Sequence, residues 1–268
     1  EYVIQAIEHG AVALVVEREL MVSVPQIIVE DTREAMGYIS CIYFGFPSRE
    51  LDVVGVTGTN GKSTTTHLFA AILNTAGISC ESIGTLTGVL TTPEAPDLQR
   101  QFRSLVDGGI KSVVMEVSSH ALSQHRVTGT EFDIGVFTNL SQDHLDFHSD
   151  IEEYFETKCS LFAAKRCKSA VVNIDDPYGL RLAKQIDIKT YRVSTDAIEI
   201  RDEIFTGSSL IWRDLPIELQ ISGRFNIENA LLAASTCLLF GIDENQIVNG
   251  LEAAEPVPGR FEVIDGYE

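Results

Sequence analysis

The chain has 268 residues, a formal net charge of −19 and 22% charged residues, enough for one substantial α/β domain and a smaller unit. Its acidic balance disfavours nucleic acid as a partner, and any anionic ligand must be held locally rather than steered from afar. The sequence shows no run of eighteen apolar residues and no leader-like opening, so neither a membrane span nor a signal peptide is expected and a cytoplasmic protein is. The chain opens inside a pattern. An amphipathic run from Ile4 to Ile7 is followed by strand-like Ala13 to Val16, a second short strand at Pro25 to Val29, and a helix from about Thr32 to Phe44. Pro47 and Ser48 then link to the apolar strand Val53-Val54-Gly55-Val56. Further strands are predicted at Ser112 to Val117, Asp133 to Thr138, Ser169 to Ile174 and Lys189 to Val193, with helices near 98–107, 151–165 and 176–185 between them. That alternation predicts an α/β fold with a mostly parallel sheet and helices on both faces. Residues 198–222 read as two or three antiparallel strands around Trp212, and two helices follow, Asn226 to Phe240 and Glu244 to Ala254. Cys41, Cys80, Cys159, Cys167 and Cys237 are odd in number and lack a C-x-x-C pair, which reads as reduced, buried thiols rather than a disulfide or zinc framework.

The strand at Val53 runs into Thr57-Gly58-Thr59-Asn60-Gly61-Lys62-Ser63-Thr64. This segment reads as a phosphate cradle. Its glycines let backbone amides converge on phosphate oxygens, a helix N-terminus adds positive potential, Lys62 supplies a mobile cation, and Ser63 offers a hydroxyl to Mg²⁺. Glycines at 55, 58 and 61 replace the strict Walker spacing, which would place glycine at Val56. Leu68, Phe69, Ile72, Leu73 and Ala76 recur at helical spacing and Gly77 supplies the stop, giving the strand, loop and helix that a phosphate loop requires. The expected domain is therefore a P-loop-type ATPase unit.

Other groups carry chemistry. Val113-Val114-Met115 ends in Glu116, a carboxylate at the C-terminal end of a strand; it reads as a Mg²⁺ ligand or as a cap for the turn at Ser118-Ser119. Residues Asn139 to His148 hold Asp143, Asp146, His144 and His148, which suggests metal or phosphate work by His144, or a solvated helix-entry loop. In the helix beginning at Asp150, Lys158 falls within the apolar stripe of Ile151, Tyr154, Phe155, Leu161 and Phe162. Such a lysine either snorkels to the surface or is buried with a lowered pKa; a neutral amine can take up CO₂ to give a carbamate, a two-oxygen anionic metal ligand. Thr91-Thr92-Pro93 presents two hydroxyls on a stiffened loop, and Ser118, His120, Gln124 and Arg126 form a polar series; each alone reads as a capped turn or helix start.

Taken together, Gly55 to Ser63, Met115 to Leu122 with Gln124-His125-Arg126, Thr138 to Asp146, and Tyr154 to Lys158 resemble the Mur ligases, and among them the type that adds the third amino acid of the peptidoglycan stem. The resemblance spans nearly the whole chain. It implies ATP and Mg²⁺ as cofactors, with Gly58, Thr59, Asn60, Gly61, Lys62, Ser63 and Thr64 as the ATP loop and Asn226, Asn229 and Arg260 as further nucleotide contacts. Ser63, Glu116, His144 and Lys158, the last as N6-carboxylysine, would hold metal, and Lys62, Glu116, His144 and Lys158 would carry catalysis. Thr91, Thr92, Ser118, Gln124 and Arg126 match positions that bind UDP-N-acetylmuramoyl-L-alanyl-D-glutamate, and the other partner would be meso-diaminopimelate or L-lysine. Leu90 departs from the asparagine that many relatives carry before Thr-Thr-Pro.

The same resemblance divides the chain into 1–48, the tail of an N-terminal substrate domain; 49–258, the central ATP-binding domain; and 259–268, a hinge to a C-terminal domain expected beyond the sequence given. A monomer without nucleic-acid or membrane partners is expected. The competing readings are a folylpolyglutamate synthase-like ligase, a GTP switch, for which no Asn-Lys-x-Asp motif occurs, and a non-catalytic nucleotide-binding fragment.

Overall fold

The structure, a computed structural model, describes residues 2–143, 147–204 and 207–257. In chain order the elements are α1 (Val3–Glu8), β1 (Leu14–Val16), β2 (Gln26–Ile28), α2 (Thr32–Tyr43), β3 (Asp52–Thr57), α3 (Lys62–Thr75), β4 (Cys80–Ile83), α4 (Ala95–Asp107), β5 (Ser112–Glu116), α5 (Ser119–Ser123) and β6 (Phe132–Phe137). There follow α6 (Ile151–Cys159), β7 (Cys167–Asn173), α7 (Pro177–Gln185), β8 (Lys189–Val193), β9 (Glu199–Ile204), β10 (Gly207–Trp212), β11 (Leu215–Leu219), α8 (Arg224–Leu239) and α9 (Glu244–Ala253). Six strands form one sheet in the order β4-β5-β3-β6-β7-β8, every neighbouring pair parallel. The expected α/β architecture is therefore present.

Parallel strands buried on both faces need apolar residues at successive positions, and β3, β5 and β6 supply them. Val54, Val56, Val114, Ile134 and Val136 point to one face, where Leu68, Phe69 and Ile72 of α3 and Ile227, Leu231 and Leu232 of α8 close the core. Val53, Val113, Met115 and Phe132 point to the other, against Leu98 and Phe102 of α4 and Tyr154 and Phe155 of α6. The antiparallel sheet β9-β10-β11 covers the first of these cores with Leu210, Trp212 and Ile217. Four cysteines are buried and Cys159 is half-buried; all are free, and burial pushes the Cys80, Cys159 and Cys167 thiols up to about 12.

Three differences from the expected elements have physical causes. Strand β4 went unpredicted because Cys80-Glu81-Ser82-Ile83 is short, mixed in polarity and lies at the sheet edge. The helix expected over 151–165 ends at Cys159 and tightens into a 3₁₀ turn at Ser160–Phe162, which tucks Leu161 and Phe162 under the sheet. Pro47 and Ser48, expected as a linker, form a buried 3₁₀ turn. Ahead of that turn, β1 and β2 pair in parallel as a separate two-stranded sheet.

The strand order places β3 at the centre, where the chain crosses from one side of the sheet to the other. Loops that leave the C-terminal ends of β3, β5 and β6 consequently meet in one crevice, the usual ligand position of an open α/β sheet. The helix that follows β3 is fixed from behind: a Cβ at Gly250 of α9 would lie 2.5 Å from Ile72 Cα of α3. Alanine there gains about 1 kcal/mol of helix propensity but overpacks a backbone contact at about 1–3 kcal/mol. We therefore expect Gly250→Ala to lower stability by up to about 2 kcal/mol in urea denaturation; a raised midpoint would mean that α3 and α9 do not cross this closely.

Candidate functional site

The loop after β3 is built by close approach. Gly58 has φ +151° and a Cβ on it would lie 1.9 Å from Thr138 Oγ1; Gly61 has φ +84° and a Cβ there would lie 2.2 Å from Asn229 Oδ1. Only glycine satisfies both demands at these points. The loop after β6 clamps the turn: Asn139 O accepts from the Thr59 amide at 2.9 Å, Asn139 Oδ1 accepts from the Asn60 amide at 3.0 Å, and Thr138 Oγ1 donates to Asn60 O at 2.6 Å. Gly61 then starts α3, and no side chain caps that helix end. An uncapped N-terminus preceded by a glycine turn is an anion cradle.

Lys62 folds back over the loop, donating to Gly58 O at 2.8 Å and Thr59 O at 2.7 Å. Ser63 Oγ donates to Glu116 Oε1 at 2.9 Å. The Glu116 carboxylate is 2% exposed and also accepts from the Thr85 amide at 2.8 Å, so it faces the phosphate loop. The turn-capping alternative is thereby excluded: the cap of α5 is Ser118, whose hydroxyl accepts from the Ala121 amide at 3.1 Å.

Lys158 is the least ordinary group of the site. Its side chain is 1% exposed, and Nζ donates to Gly58 O at 3.0 Å while lying 4.4 Å from the centre of the Tyr154 ring. Snorkelling is therefore overturned; the helix stripe carries the lysine inward to the phosphate loop. Desolvation, and next the nearby Lys62 charge, hold its pKa well below the ordinary lysine value, against a smaller opposing pull from Asp143. Tyr154 joins the same knot, its hydroxyl 3.3 Å from Thr59 Oγ1.

A cavity of about 510 Å³ opens over the loop. Thr59 to Thr64, Glu116, Thr91, Ser118, Asn226 and Asn229 all line it, as do Thr85 and Phe225. Asn226 donates to Ser222 O at 2.8 Å at the start of α8, and Asn229 Oδ1 accepts from Thr65 of α3 at 3.3 Å, which ties α8 to the helix after the loop. Thr92, Gln124 and Arg126 stand behind the wall. Thr92 is fully buried, donating to Glu116 O at 2.9 Å and accepting from the Ser118 amide at 3.1 Å. Arg126 donates to Thr92 O at 3.1 Å and Gln124 Oε1 at 2.7 Å. His144 and Arg260, both expected at the site, lie outside the described residues, as do Pro258, Gly259 and the rest of the expected hinge. His120 lies against the Phe147 ring with centroids 4.0 Å apart, and the His148 ring lies 5.0 Å from that of Tyr154.

Sequence reasoning missed Thr85, Asn139 as a clamp, the Tyr154 hydroxyl and Phe225. Thr85 follows the unpredicted edge strand β4. Phe225, 70% exposed at the cavity, lies in the first turn of α8 beside the expected contacts Asn226 and Asn229, but off the helix's buried stripe.

The donor set suits a hard cation: a hydroxyl and a carboxylate converge at Ser63 and Glu116, both oxygen ligands. Among the described residues no three His, Cys, Asp or Glu side chains cluster as a metal site, so the remaining ligands would have to come from elsewhere.

Fold and site together define a phosphate-loop α/β protein with a buried lysine at the loop. A family model described as the Mur ligase middle domain matches residues 56–237. A relative from Geobacter metallireducens, "UDP-N-acetylmuramoyl-L-alanyl-D-glutamate--2,6-diaminopimelate ligase", is 41% identical over 99% of this chain and 57% of its own length. A solved structure bearing the same ligase name superposes with a TM-score of 0.83 at 29% identity, covering 98% of this chain and 58% of that one. MurF from Thermotoga maritima in complex with ADP shares the fold alone, with a TM-score of 0.67 at 20% identity over 98% of this chain and 62% of that one. The chain belongs to the Mur ligase family. It spans a little under three fifths of the two ligases of that first name, 57% and 58% of their lengths.

Burial of Lys158 has a thermodynamic signature. A lysine depressed in the folded state binds fewer protons there than in the unfolded chain, so between its folded pKa and the ordinary value near 10.4 stability rises with pH. We expect Lys158→Met to flatten that rise in urea titrations across this window. The same slope in both proteins would show that Lys158 is solvated.

Proposed function

We propose that the protein from which this chain comes is an ATP-dependent amide-forming ligase, joining a diamino acid to UDP-N-acetylmuramoyl-L-alanyl-D-glutamate for peptidoglycan synthesis. One observation carries the reading: Lys62 and the buried Lys158 both donate to the Gly58 carbonyl, beside the paired Ser63 and Glu116. A phosphate loop serving only as a nucleotide switch has no use for a second, buried lysine. The names of the relatives at about 40% identity supply the substrate, and meso-diaminopimelate is proposed over L-lysine on that ground.

In this reading Gly58 to Thr64 cradle the ATP phosphates, and Asn226 and Asn229 lie on the adenine side. Lys62 leaves the loop carbonyls for the transferred phosphoryl group and stabilises the charge developing on its oxygens. Ser63 and Glu116 would hold one Mg²⁺; His144 and the carbamate of Lys158 would hold a second. When bound, Mg²⁺ offsets the repulsion between the substrate carboxylate and the γ-phosphate. The D-glutamyl carboxylate then attacks the γ-phosphorus of ATP, breaking the β,γ P–O bond and releasing ADP to give an acyl phosphate; the neutral incoming amine attacks its carbonyl, phosphate leaves, and the nitrogen loses a proton to give the amide. Thr91 and Ser118 at the cavity, with Thr92, Gln124 and Arg126 behind, form the side facing the UDP substrate. Arg260 is assigned to ATP by the resemblance. Residues 1–48 are proposed as part of the substrate domain, 49–258 as the ATP domain and 259–268 as the hinge. We propose a cytoplasmic location, which accords with ATP as co-substrate and with the five free cysteines, and a monomer. Among the described residues no helix is long and apolar enough to cross a membrane.

The test is phosphate release by the full-length protein with ATP and the UDP-muramoyl dipeptide. We expect release that depends on meso-diaminopimelate and is largely lost in Lys158→Ala. Release without any amino acid, or a kcat that survives Lys158→Ala at saturating Mg²⁺, contradicts the reading. Arg126→Lys loses a planar two-pronged contact and should weaken the UDP substrate by about 1.5–3 kcal/mol in calorimetry while sparing ATP. Equal losses for both ligands would make Arg126 a structural residue.

A further inference from the structure

We propose that Glu94 is a positioning residue for the UDP substrate, bridging helix α2 to Arg126; the inference rests on the substrate reading of Arg126 above. Glu94 stands at the N-cap of α4, yet its side chain makes no capping hydrogen bond. Its carboxylate reaches two arginines instead: Oε1 lies 3.0 Å from Arg126 Nε, and Oε2 accepts from Arg33 Nη1 at 3.3 Å. Arg33 belongs to α2 and Arg126 to the turn after α5.

The same stretch of α2 grips that turn at further points. His125 takes the left-handed conformation at φ +57°, a position that favours glycine, and closes α5 with the Arg126 amide donating to Ala121 O at 2.9 Å. Two contacts accompany this strained turn: Asp31 Oδ2 lies 3.7 Å from His125 Nε2, and His125 Nδ1 lies 3.2 Å from Thr128 Oγ1. One and two turns further along α2, a Cβ on Gly37 would lie 2.7 Å from Thr128 Cβ, and Cys41 Sγ donates to Thr128 O at 3.6 Å. Arg33, Gly37 and Cys41, spaced four residues apart on α2, and Asp31 at its N-cap thus meet residues 125 to 128 and, through Glu94, the guanidinium.

A guanidinium has five N–H donors. In Arg126 the Nε side meets Glu94, and one donor each on Nη1 and Nη2 is given to Thr92 O and Gln124 Oε1. One proton on each Nη is left over, and a guanidinium with donors to spare suits a carboxylate or phosphate. Glu94 therefore meets the arginine at Nε, as an ion pair rather than an aligned hydrogen bond, and leaves both Nη groups to other partners. Arg126 is 14% exposed against 32% for Glu94, so the bridge is screened only in part.

The test is a cycle of variants in the full-length protein, read as KM for the UDP-muramoyl dipeptide and for ATP. Glu94→Gln should raise the KM of the UDP substrate about three- to tenfold, between the ranges for exposed ion pairs and for charged hydrogen bonds, with kcat and the KM of ATP little changed. Glu94→Asp should recover most of the loss. Adding Glu94→Gln to Arg126→Lys should cost little more than Arg126→Lys alone, because one contact is lost through the other. Arg33→Gln, at the outer end of the bridge, should move the same KM in the same direction if Glu94→Gln folds poorly. An unchanged KM in Glu94→Gln, or full additivity with Arg126→Lys, overturns the bridge. If Arg126→Lys itself leaves the KM of the UDP substrate unchanged, the failure belongs to the substrate reading of Arg126, and the bridge falls with it.

Discussion

One backbone oxygen organises the site. The carbonyl of Gly58 accepts from Lys62 on its own helix and from Lys158 on a helix 100 residues further along the chain. Desolvation, and then the Lys62 charge at the same acceptor, hold the pKa of Lys158 well below the ordinary lysine value. The arrangement demands that Gly58 lack a side chain, that the loop after β6 press against it, and that α6 carry its lysine inward. Each of these is met by a separate part of the fold.

The parallel sheet makes the meeting possible. With β3 flanked by β5 and β6, three strand ends deliver the phosphate loop, Glu116 and the Asn139 clamp to the same crevice. The hydrogen bond from Ser63 to Glu116 then links two adjacent strand ends with a pair of oxygens fit for Mg²⁺. Behind this front, Thr92 joins the loop before α4 to the Glu116 carbonyl, and Arg126 joins it to the turn after α5. The proposed nucleotide and substrate sides would thus be two faces of one hydrogen-bonded wall.

Much of this was legible in the sequence, because its signals were local or periodic. The glycine spacing at 55, 58 and 61 marked the loop, the apolar runs marked β3, β5, β6 and β7, and the stripe of α6 marked Lys158 as inward-facing. The stripe alone did not separate snorkelling from burial, since that depends on what lies across the helix face, here the Gly58 carbonyl. Thr85 and Asn139 were not legible as site residues: one acts largely through its backbone amide, the other through contacts to a loop 79 residues away. Strand β4 carried too few apolar residues to declare itself. The bridge from Arg33 through Glu94 was equally hidden, because 61 residues separate its first two members and neither lies in a recognisable motif.

We propose that the lowered pKa of Lys158 has a chemical purpose, uptake of CO₂ as a carbamate that completes the metal site. The most direct measurement is carbon-13 NMR of the protein equilibrated with ¹³C-labelled bicarbonate and Mg²⁺. A protein-bound carbamate resonance is expected in the parent protein and absent from Lys158→Met. No such resonance in the parent, or the same resonance in both proteins, would contradict it.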